Sequence, residues 1–550
     1  MAQNVREPVE PRAGRTKRSG PNEHASQWLR VGLLVIGTAA LAILAIYLIG
    51  TFLLKPTVDV AEPTAGEPIG PEQIETYAVV LEGDSSTIGS ASWTLNGLDV
   101  TNRVEVSDGR ATLNPGALPD GQHTVVVTSG PNFPFAKESD EASFTIDTTA
   151  PTVQLEPETL TAQARTAYEL RGSVDASAEL FLGETEVVLH DGRFALAFET
   201  APSVPLVLKA VDAAGNQSTE IVNVAVVPRQ PAKPVRGVHV SAAAWANEET
   251  RAGILKLIDE GLINTVQLDL KDERGEVGYD TQVELAQKIG AATNQYSLQD
   301  AVEILHGRNV GIIGRLVAFL DPLLAGWSWE NNKRQRSVQS PDGSQYLGYG
   351  GYANFAHPSV RSYNIDIAEE AAKLGVDDIL YDYVRRPDGP IDTMVFPLLT
   401  ETPEDAIVRF LSETSDRLQP YGTFIGASVF GVAAARPTDV AQDIPRIAST
   451  IDYVSPMVYP SHWGPGEYSV ADPNSQPYDI VLASLNDFNT KVDGRGARLL
   501  PWLQDFSLGV EYGPDEVRAQ IEGARDAGVD EFLLWNPSVV YTIEALEATR

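Results

Sequence analysis

Between residues 236 and 548 an apolar run of strand length recurs eight times, and few folds accept that rhythm. The strand candidates are RGVHVSA, NTVQLDL, VGIIGRLVAFL, DDILYDYV, TFIGASVFG, IDYVSPMVY, ARLLPWLQDF and EFLLWN. Helical segments such as EETRAGILKLIDEGL, LQDAVEILHGR, SVRSYNIDIAEEAAKLG, PEDAIVRFLSETSDRL and PDEVRAQIEGARDAG lie between several of them. Strand–helix–strand connections make neighbouring strands parallel, and eight strands over about 315 residues predict a closed (β/α)8 TIM barrel with some long loops. An open doubly wound sheet would need a topological switch and usually a glycine-rich phosphate turn. No G-x-G-x-x-G follows the first strand.

The rhythm upstream is different. Residues 75–149 and 150–229 carry short strand candidates separated by turn signals, with TTAP at 148–151 between the sets. Each set is long enough for one antiparallel sandwich, and VDAAGNQS at 211–218 resembles the late hairpin of bacterial immunoglobulin-like domains. Two immunoglobulin-like spacers are therefore expected. Residues 55–74, rich in Pro, Gly and acidic groups, read as an extended stalk.

Residues 31–54 carry no charge and are long enough to span a hydrocarbon core about 30 Å thick. With Arg6, Arg12, Arg15, Lys17, Arg18 and Arg30 upstream, the positive-inside rule puts residues 1–30 in the cytoplasm. The expectation is a single-pass transmembrane anchor in the cell membrane with every later domain outside. A formal net charge of −34 excludes a nucleic-acid partner on electrostatic grounds. The absence of cysteine excludes disulfides and thiolate chemistry.

Barrel sites form at the carboxyl ends of the strands. Reading only those positions, the second strand ends in Asp269, Lys271 and Asp272. The third carries Arg315 and ends in Asp321, and the fourth ends in Asp382, Tyr383 and Arg385. The sixth runs into Tyr459, Ser461, His462 and Trp463. The seventh carries Trp502, Gln504 and Asp505, and the eighth ends in Trp535 and Asn536. Trp245, Trp327 and Trp329 also fall near these ends. Flat amphipathic rings suit the mixed faces of a sugar, so this rim reads as a carbohydrate site. An Asp at a strand end is often only the cap of the next helix, and Trp502 could be plain barrel packing. The loop after Asp382 runs through Pro387, Gly389 and Pro390 before any helix, which weakens the capping reading there.

Other chemistries lack their signatures. The seven histidines form no H-x-H or H-E-x-x-H, GASVFG misses the serine-hydrolase elbow, and no Walker-type loop appears. No metal or cofactor is expected.

The fourth strand, LYDYVRRP, resembles the F-D-Y-V-R-F-P signature of a bacterial TIM-barrel family of glycoside hydrolases whose function is otherwise unassigned. The resemblance extends over roughly residues 236–548. LDLKDERGEVGY, GRLVAFLDP, SPMVYPSHW and LLPWLQDF resemble its second, third, sixth and seventh strands, with Leu320 where Lys is expected and Arg386 where Phe is usual. It implies the barrel fold and O-glycosyl hydrolysis and names no substrate; a cell-envelope or extracellular polysaccharide is expected from the anchor, the stalk and the aromatic rim.

Within that chemistry Asp382 is expected to be the catalytic carboxylate, kept ionised by Arg385. Its partner acid is expected to be Asp505 first, then Asp272 or Asp321, and no strand end offers an obvious Glu. Asp269, Lys271, Arg315, Asp321, Tyr383, Arg385, Tyr459, His462, Trp463, Trp502, Gln504, Trp535 and Asn536 are the expected substrate contacts. The alternative is a non-catalytic carbohydrate-binding or adhesion barrel.

Overall fold

The computed structural model describes residues 36–46, 48, 59–62, 68–82, 88–129, 137–175, 177–202 and 204–549. Two compact units emerge. One comprises Met1–Gln154, Ser173–Phe194 and Val207–Glu220; the other comprises Leu155–Gly172, Ala195–Leu206 and Ile221–Arg550.

In the first unit, strands Gly121–Ser129 and Glu138–Ile146 pair antiparallel along their whole length. Alternate residues of Gly121–Ser129 are buried, the period of two that its sequence carries. With Pro68–Ile69, Ser92–Leu95 and Leu98–Asp99 they make a five-stranded sheet. A four-stranded sheet holds Asp59–Glu62, Val79–Glu82, Arg110–Leu113 and Val104–Ser107. Trp93, Leu81, Leu113, Val125, Val127 and Phe144 share one core.

Three expectations are corrected here. The sheets before the barrel are small, with two to five strands each, and they are not two immunoglobulin-like sandwiches over 75–149 and 150–229. Strand periodicity is local and leaves partners undetermined. Two strands, Asp59–Glu62 and Pro68–Ile69, come from the segment whose Pro, Gly and acidic content predicts a stalk. Among the described residues no helix is long and apolar enough to cross a membrane, which overturns the anchor expected over 31–54. Residues 36–46 of that run are helical; the rest of it, Leu48 apart, and the whole of the expected 1–30 tail lie outside the described residues.

The second unit contains the barrel. Its strands are β1 (Arg236–Val240), β2 (Thr265–Lys271), β3 (Gly311–Val317), β4 (Asp378–Asp382), β5 (Phe424–Phe430), β6 (Tyr453–Met457), β7 (Trp502–Gln504) and β8 (Phe532–Trp535). All neighbours pair parallel, and β8 closes onto β1 at Arg236↔Phe532. Strands covered on both faces read as continuous apolar runs, and β2 is buried at every position. Pro501, which lacks an N–H, separates β7 from a short lead-in strand, Arg498–Leu499. Below β6, Asp452 accepts from Arg165 Nε at 3.1 Å and Nη2 at 2.9 Å, fastening the Leu155–Gly172 segment to the barrel.

Ile313, Leu380, Tyr453, Leu500, Trp502 and Leu533 pack together as one cluster. The Tyr453 ring fits only because β5 has no side chain opposite: a Cβ on Gly426 would stand 2.2 Å from it. Gly426→Ala should therefore lower stability by about 1–3 kcal/mol through overpacking, read as a drop in melting temperature. A variant as stable as the parent would show that the ring can move aside.

Candidate active site

Above the Tyr453 layer, at the carboxyl ends of the strands, lies a cavity of about 320 Å³. It is lined by Glu273, Arg315, Asp382, Tyr383, Phe430, Gly431, Val432, Met457, Tyr459, His462, Trp463, Trp502 and Trp535. A larger cavity of about 870 Å³ lies at the opposite end, around Pro231, Arg498 and Glu531. We place the candidate site in the smaller one because only there do two carboxylates meet an aromatic wall.

The polar pole is organised by Arg315, which β3 points inward and which is almost fully buried. Its Nε and Nη2 donate to Asp382 Oδ2 at 2.9 and 2.5 Å, its Nη1 donates to Asp269 Oδ1 at 3.0 Å, and its Nη2 also donates to Glu273. Burial disfavours its charge, yet Glu273, Asp382 and Asp269 outweigh that and hold the guanidinium well above its ordinary value. Asp382, at the end of β4, also accepts the backbone N–H of Tyr383 at 2.7 Å. Tyr383 itself sits at φ +47°, and burial pushes its phenol up to about 12. The cation on Asp382 is thus Arg315, which corrects the expectation of Arg385. Arg385 lies over the rings of Tyr383 and Phe430, with Asp388 at 3.5 Å.

Asp269 sits beneath Arg315 and does not line the cavity. Its carboxyl is raised by burial, against the pull of His239 at 3.7 Å and of Arg315. His239 Nδ1 meets Gln267 Oε1 at 2.8 Å.

Lys271 and Asp321 are not in the cavity either. A β-bulge between Asp269 and Lys271 shifts the register against β3 and turns Lys271 to the outer layer. There its Nζ, pushed down by burial, donates to Asp321 and Asn364, both at 2.8 Å. Asp321 caps helix Pro322–Glu330 through the Leu324 N–H at 2.8 Å. This ion pair is structural.

The expected acids are placed elsewhere as well. Asp505 accepts from the Thr542 N–H at 2.8 Å and from its hydroxyl at 2.7 Å. Asp272 accepts the N–H groups of Arg274 and Glu276, tying up a turn. Gln504 is spent on Ser461 and on the Phe506 carbonyl, and Asn536 donates to the Asp505 carbonyl.

The turn that Asp272 organises supplies the residue that strand-end reading passed over. Gly275, at φ +85°, lets the loop press so close to Asp321 that a Cβ would lie 2.2 Å from its Oδ1. The turn tip thereby brings Glu273 over Arg315. Its side chain is 45% exposed, yet Arg315 holds its carboxyl down to about 2 against the cost of a crowded rim. The signal was present as an acidic pair before a turn glycine in KDERGE, but a search confined to strand ends could not use it.

The opposite wall is aromatic. Tyr459 and Trp535 have ring centroids 5.9 Å apart, and His462 stands 5.2 Å from Tyr459. Partial burial pushes the His462 imidazole down. Trp502 Nε1 donates to Ser428 Oγ at 3.0 Å, which fixes its ring, and Trp463 packs on Gly431.

The family model described as "Putative glycosyl hydrolase domain" matches residues 237–541. Among curated proteins none matches the chain. Among solved structures it is similar to a hypothetical protein from Ruminiclostridium thermocellum, at 26% identity and TM-score 0.32, covering 34% of this chain and 96% of that one. It is also similar to the PgaB (BpsB) glycoside hydrolase domain from Bordetella bronchiseptica, at 15% identity and TM-score 0.43, covering 56% and 95%. An endo-1,4-beta-D-mannanase from Thermotoga petrophila gives 12% identity and TM-score 0.40, covering 58% and 99%.

Because Glu273 has a depressed pKa, its contact with Arg315 stabilises the fold above the ordinary glutamate range, near pH 4.5, and fades as the pH falls toward about 2. Glu273→Gln should lower the melting temperature at pH 7, with the difference from the parent shrinking between about pH 4.5 and 2. A difference independent of pH would contradict the ion pair.

Proposed function

We propose, from the premise that this chain belongs to the family described as "Putative glycosyl hydrolase domain", that its barrel cleaves a polysaccharide using Asp382 and Glu273 as the working carboxylates. Hydrolase activity follows from the family. The choice of residues rests on one observation: the two carboxylates that line the aromatic cavity bind the same Arg315 nitrogen.

Sharing one nitrogen keeps their nearest oxygens no more than about 5 Å apart, short of the separation of about 6.5–9.5 Å that inverting glycosidases need for a water, which favours the retaining scheme. In that scheme an Asp382 oxygen attacks the anomeric carbon as the glycosidic C–O bond breaks. The leaving oxygen takes a proton from Glu273. A water then gives its proton back to Glu273 and cleaves the glycosyl ester, regenerating Asp382. Glu273 must leave Arg315 before it can carry a proton, since the guanidinium holds it ionised in the free protein. A glycan that seats against the aromatic wall and excludes water supplies that change. Tyr459, Trp463 and Trp535 offer the rings on which a pyranose packs, over a floor made by Trp502.

One observation favours a second reading. Arg315 holds both carboxylates in ion pairs, which leaves neither free to attack or to carry a proton, as suits a barrel that binds glycan without cutting it.

The test is reducing-sugar release from a glycan panel, with product anomers followed by NMR. Glu273→Gln should lower kcat by roughly 10²–10⁴-fold, Asp382→Asn at least as much, and the first product should keep the substrate's anomeric configuration. Wild-type turnover by Asp382→Asn would remove the assignment. Binding without release by the parent would establish the second reading.

A further inference from the structure

The two long loops after β3 and β4 carry a feature the cavity does not use. Of the eight large hydrophobic side chains exposed between residues 236 and 549, five lie on them: Leu347, Tyr349, Ile391, Val395 and Leu398. Apolar side chains gathered on one rim of a soluble domain mark a contact surface.

These loops are braced. Gln339 and Val395 exchange backbone hydrogen bonds at 2.9 and 2.7 Å, Val338 donates to the Tyr352 carbonyl at 3.0 Å, and Asn354 Nδ2 donates to the Pro397 carbonyl at 2.7 Å.

Tyr349 stands out among the five. It sits at φ +57° in the run Leu347-Gly-Tyr-Gly-Gly, a conformation that costs a non-glycine residue free energy. Glycines flank it and a fourth glycine would relax the turn, yet a large ring occupies the position and stays 53% exposed. The ring is also held. Its hydroxyl donates to Asp388 Oδ1 at 2.6 Å, and Asp388 lies 3.5 Å from Arg385 Nη1. The Arg385 guanidinium in turn lies 4.9 Å over the ring of Tyr383, which lines the cavity. With its hydroxyl occupied, Tyr349 presents an oriented apolar face to solvent, one short relay away from the candidate site.

We propose that Tyr349, with Leu347 beside it in sequence, forms an outer glycan subsite, so that the barrel grips a polysaccharide chain running from the aromatic cavity across the braced rim. This rests on the glycoside hydrolase reading and adds to it the length of substrate held. The occupant is a sugar chain because the patch stands on the loops that leave β3 and β4, whose ends place Arg315, Asp382 and Tyr383 in the cavity, so both lie at the carboxyl end of the barrel. A fixed, exposed aromatic ring is what packs on the apolar face of a pyranose. Asp388 and Arg385 are positioning residues for that ring.

The experiment compares the full chain with Tyr349→Ala and Tyr349→Phe. Affinity electrophoresis through soluble chitosan, glycol chitin and glucomannan reads polymer binding, and intrinsic tryptophan fluorescence reads binding of the matching trisaccharides. For any polymer that retards the parent, Tyr349→Ala should lose about five- to tenfold in affinity while trisaccharide binding stays within about twofold. Tyr349→Phe, which keeps the ring but loses the hydroxyl held by Asp388, should fall between the parent and Tyr349→Ala. Unchanged retardation of Tyr349→Ala, or equal loss for polymer and trisaccharide, overturns the subsite. So does a parent dimer that Tyr349→Ala converts to monomer, since the patch would then be a contact between copies. If the parent binds the trisaccharides but is retarded by no polymer, the subsite alone fails. If it binds and cleaves none of these glycans, the glycoside reading fails and takes the subsite with it.

Discussion

A single buried guanidinium organises the working end of the barrel. Arg315 is charged, nearly out of water and surrounded by Asp269, Glu273 and Asp382. A buried cation of this kind is tolerable only when its donors are spent on good acceptors, and Nε, Nη1 and Nη2 all are. The consequence runs outward in both directions. Below Arg315, Asp269 is fixed against β1 and β2; above it, the end of β4 and the turn after β2 are held over one point. The aromatic wall from β5 to β8 faces that point across the cavity. Remove the guanidinium and three carboxylates face one another with no countercharge.

A second constraint keeps this cluster clean. The second strand ends in two charged groups of opposite use, and the bulge after Asp269 separates them by pointing Asp269 inward and Lys271 outward. Lys271 then pairs with Asp321 and Asn364 behind the barrel wall, where it cannot neutralise the carboxylates of the cavity. Had the register continued unbroken, period two would have aimed Lys271 inward beside Arg315. The pole would then have held as many cations as the cavity has carboxylates. The same wall receives Gly275, so the Lys271–Asp321 pair also seats the turn that carries Glu273. One local irregularity thus serves both the outer layer and the site.

Much of this was legible in the chain. Eight apolar runs with intervening helices dictated eight parallel strands, because hydrophobic periodicity and helix signals act over a few residues and survive in any context. Reading only the strand ends found Arg315, Asp382, Tyr383, Tyr459, His462, Trp463, Trp502 and Trp535, all of which line the cavity. Their legibility has a simple cause: in a closed parallel barrel every carboxyl end points to one rim, so position along the strand stands in for position in space. Where the expectation rested on composition instead of pattern, as in the stalk over 55–74, it missed the two strands at Asp59–Glu62 and Pro68–Ile69. The sandwiches over 75–149 and 150–229 also fell, since short strands announce themselves without naming their partners.

By itself, then, the sequence determined the barrel, the order of its strands and which side chains stand on its rim, all of which are read from periodicity within one segment. Tertiary structure decided who meets whom. Arg315, not the adjacent Arg385, became the partner of Asp382, because β3 lies beside β4 with Arg315 two pairing steps from the aspartate and so on the same face, while Arg385 had already left the strand. Asp505, Asp272 and Asp321 look like Asp382 in the sequence, yet Thr542, a turn and a helix start claim them first. Glu273 reached the cavity from beyond a strand end, through a turn glycine and a bulge. Pairing across a barrel depends on register and on close approach between segments far apart in the chain, and no local period encodes either.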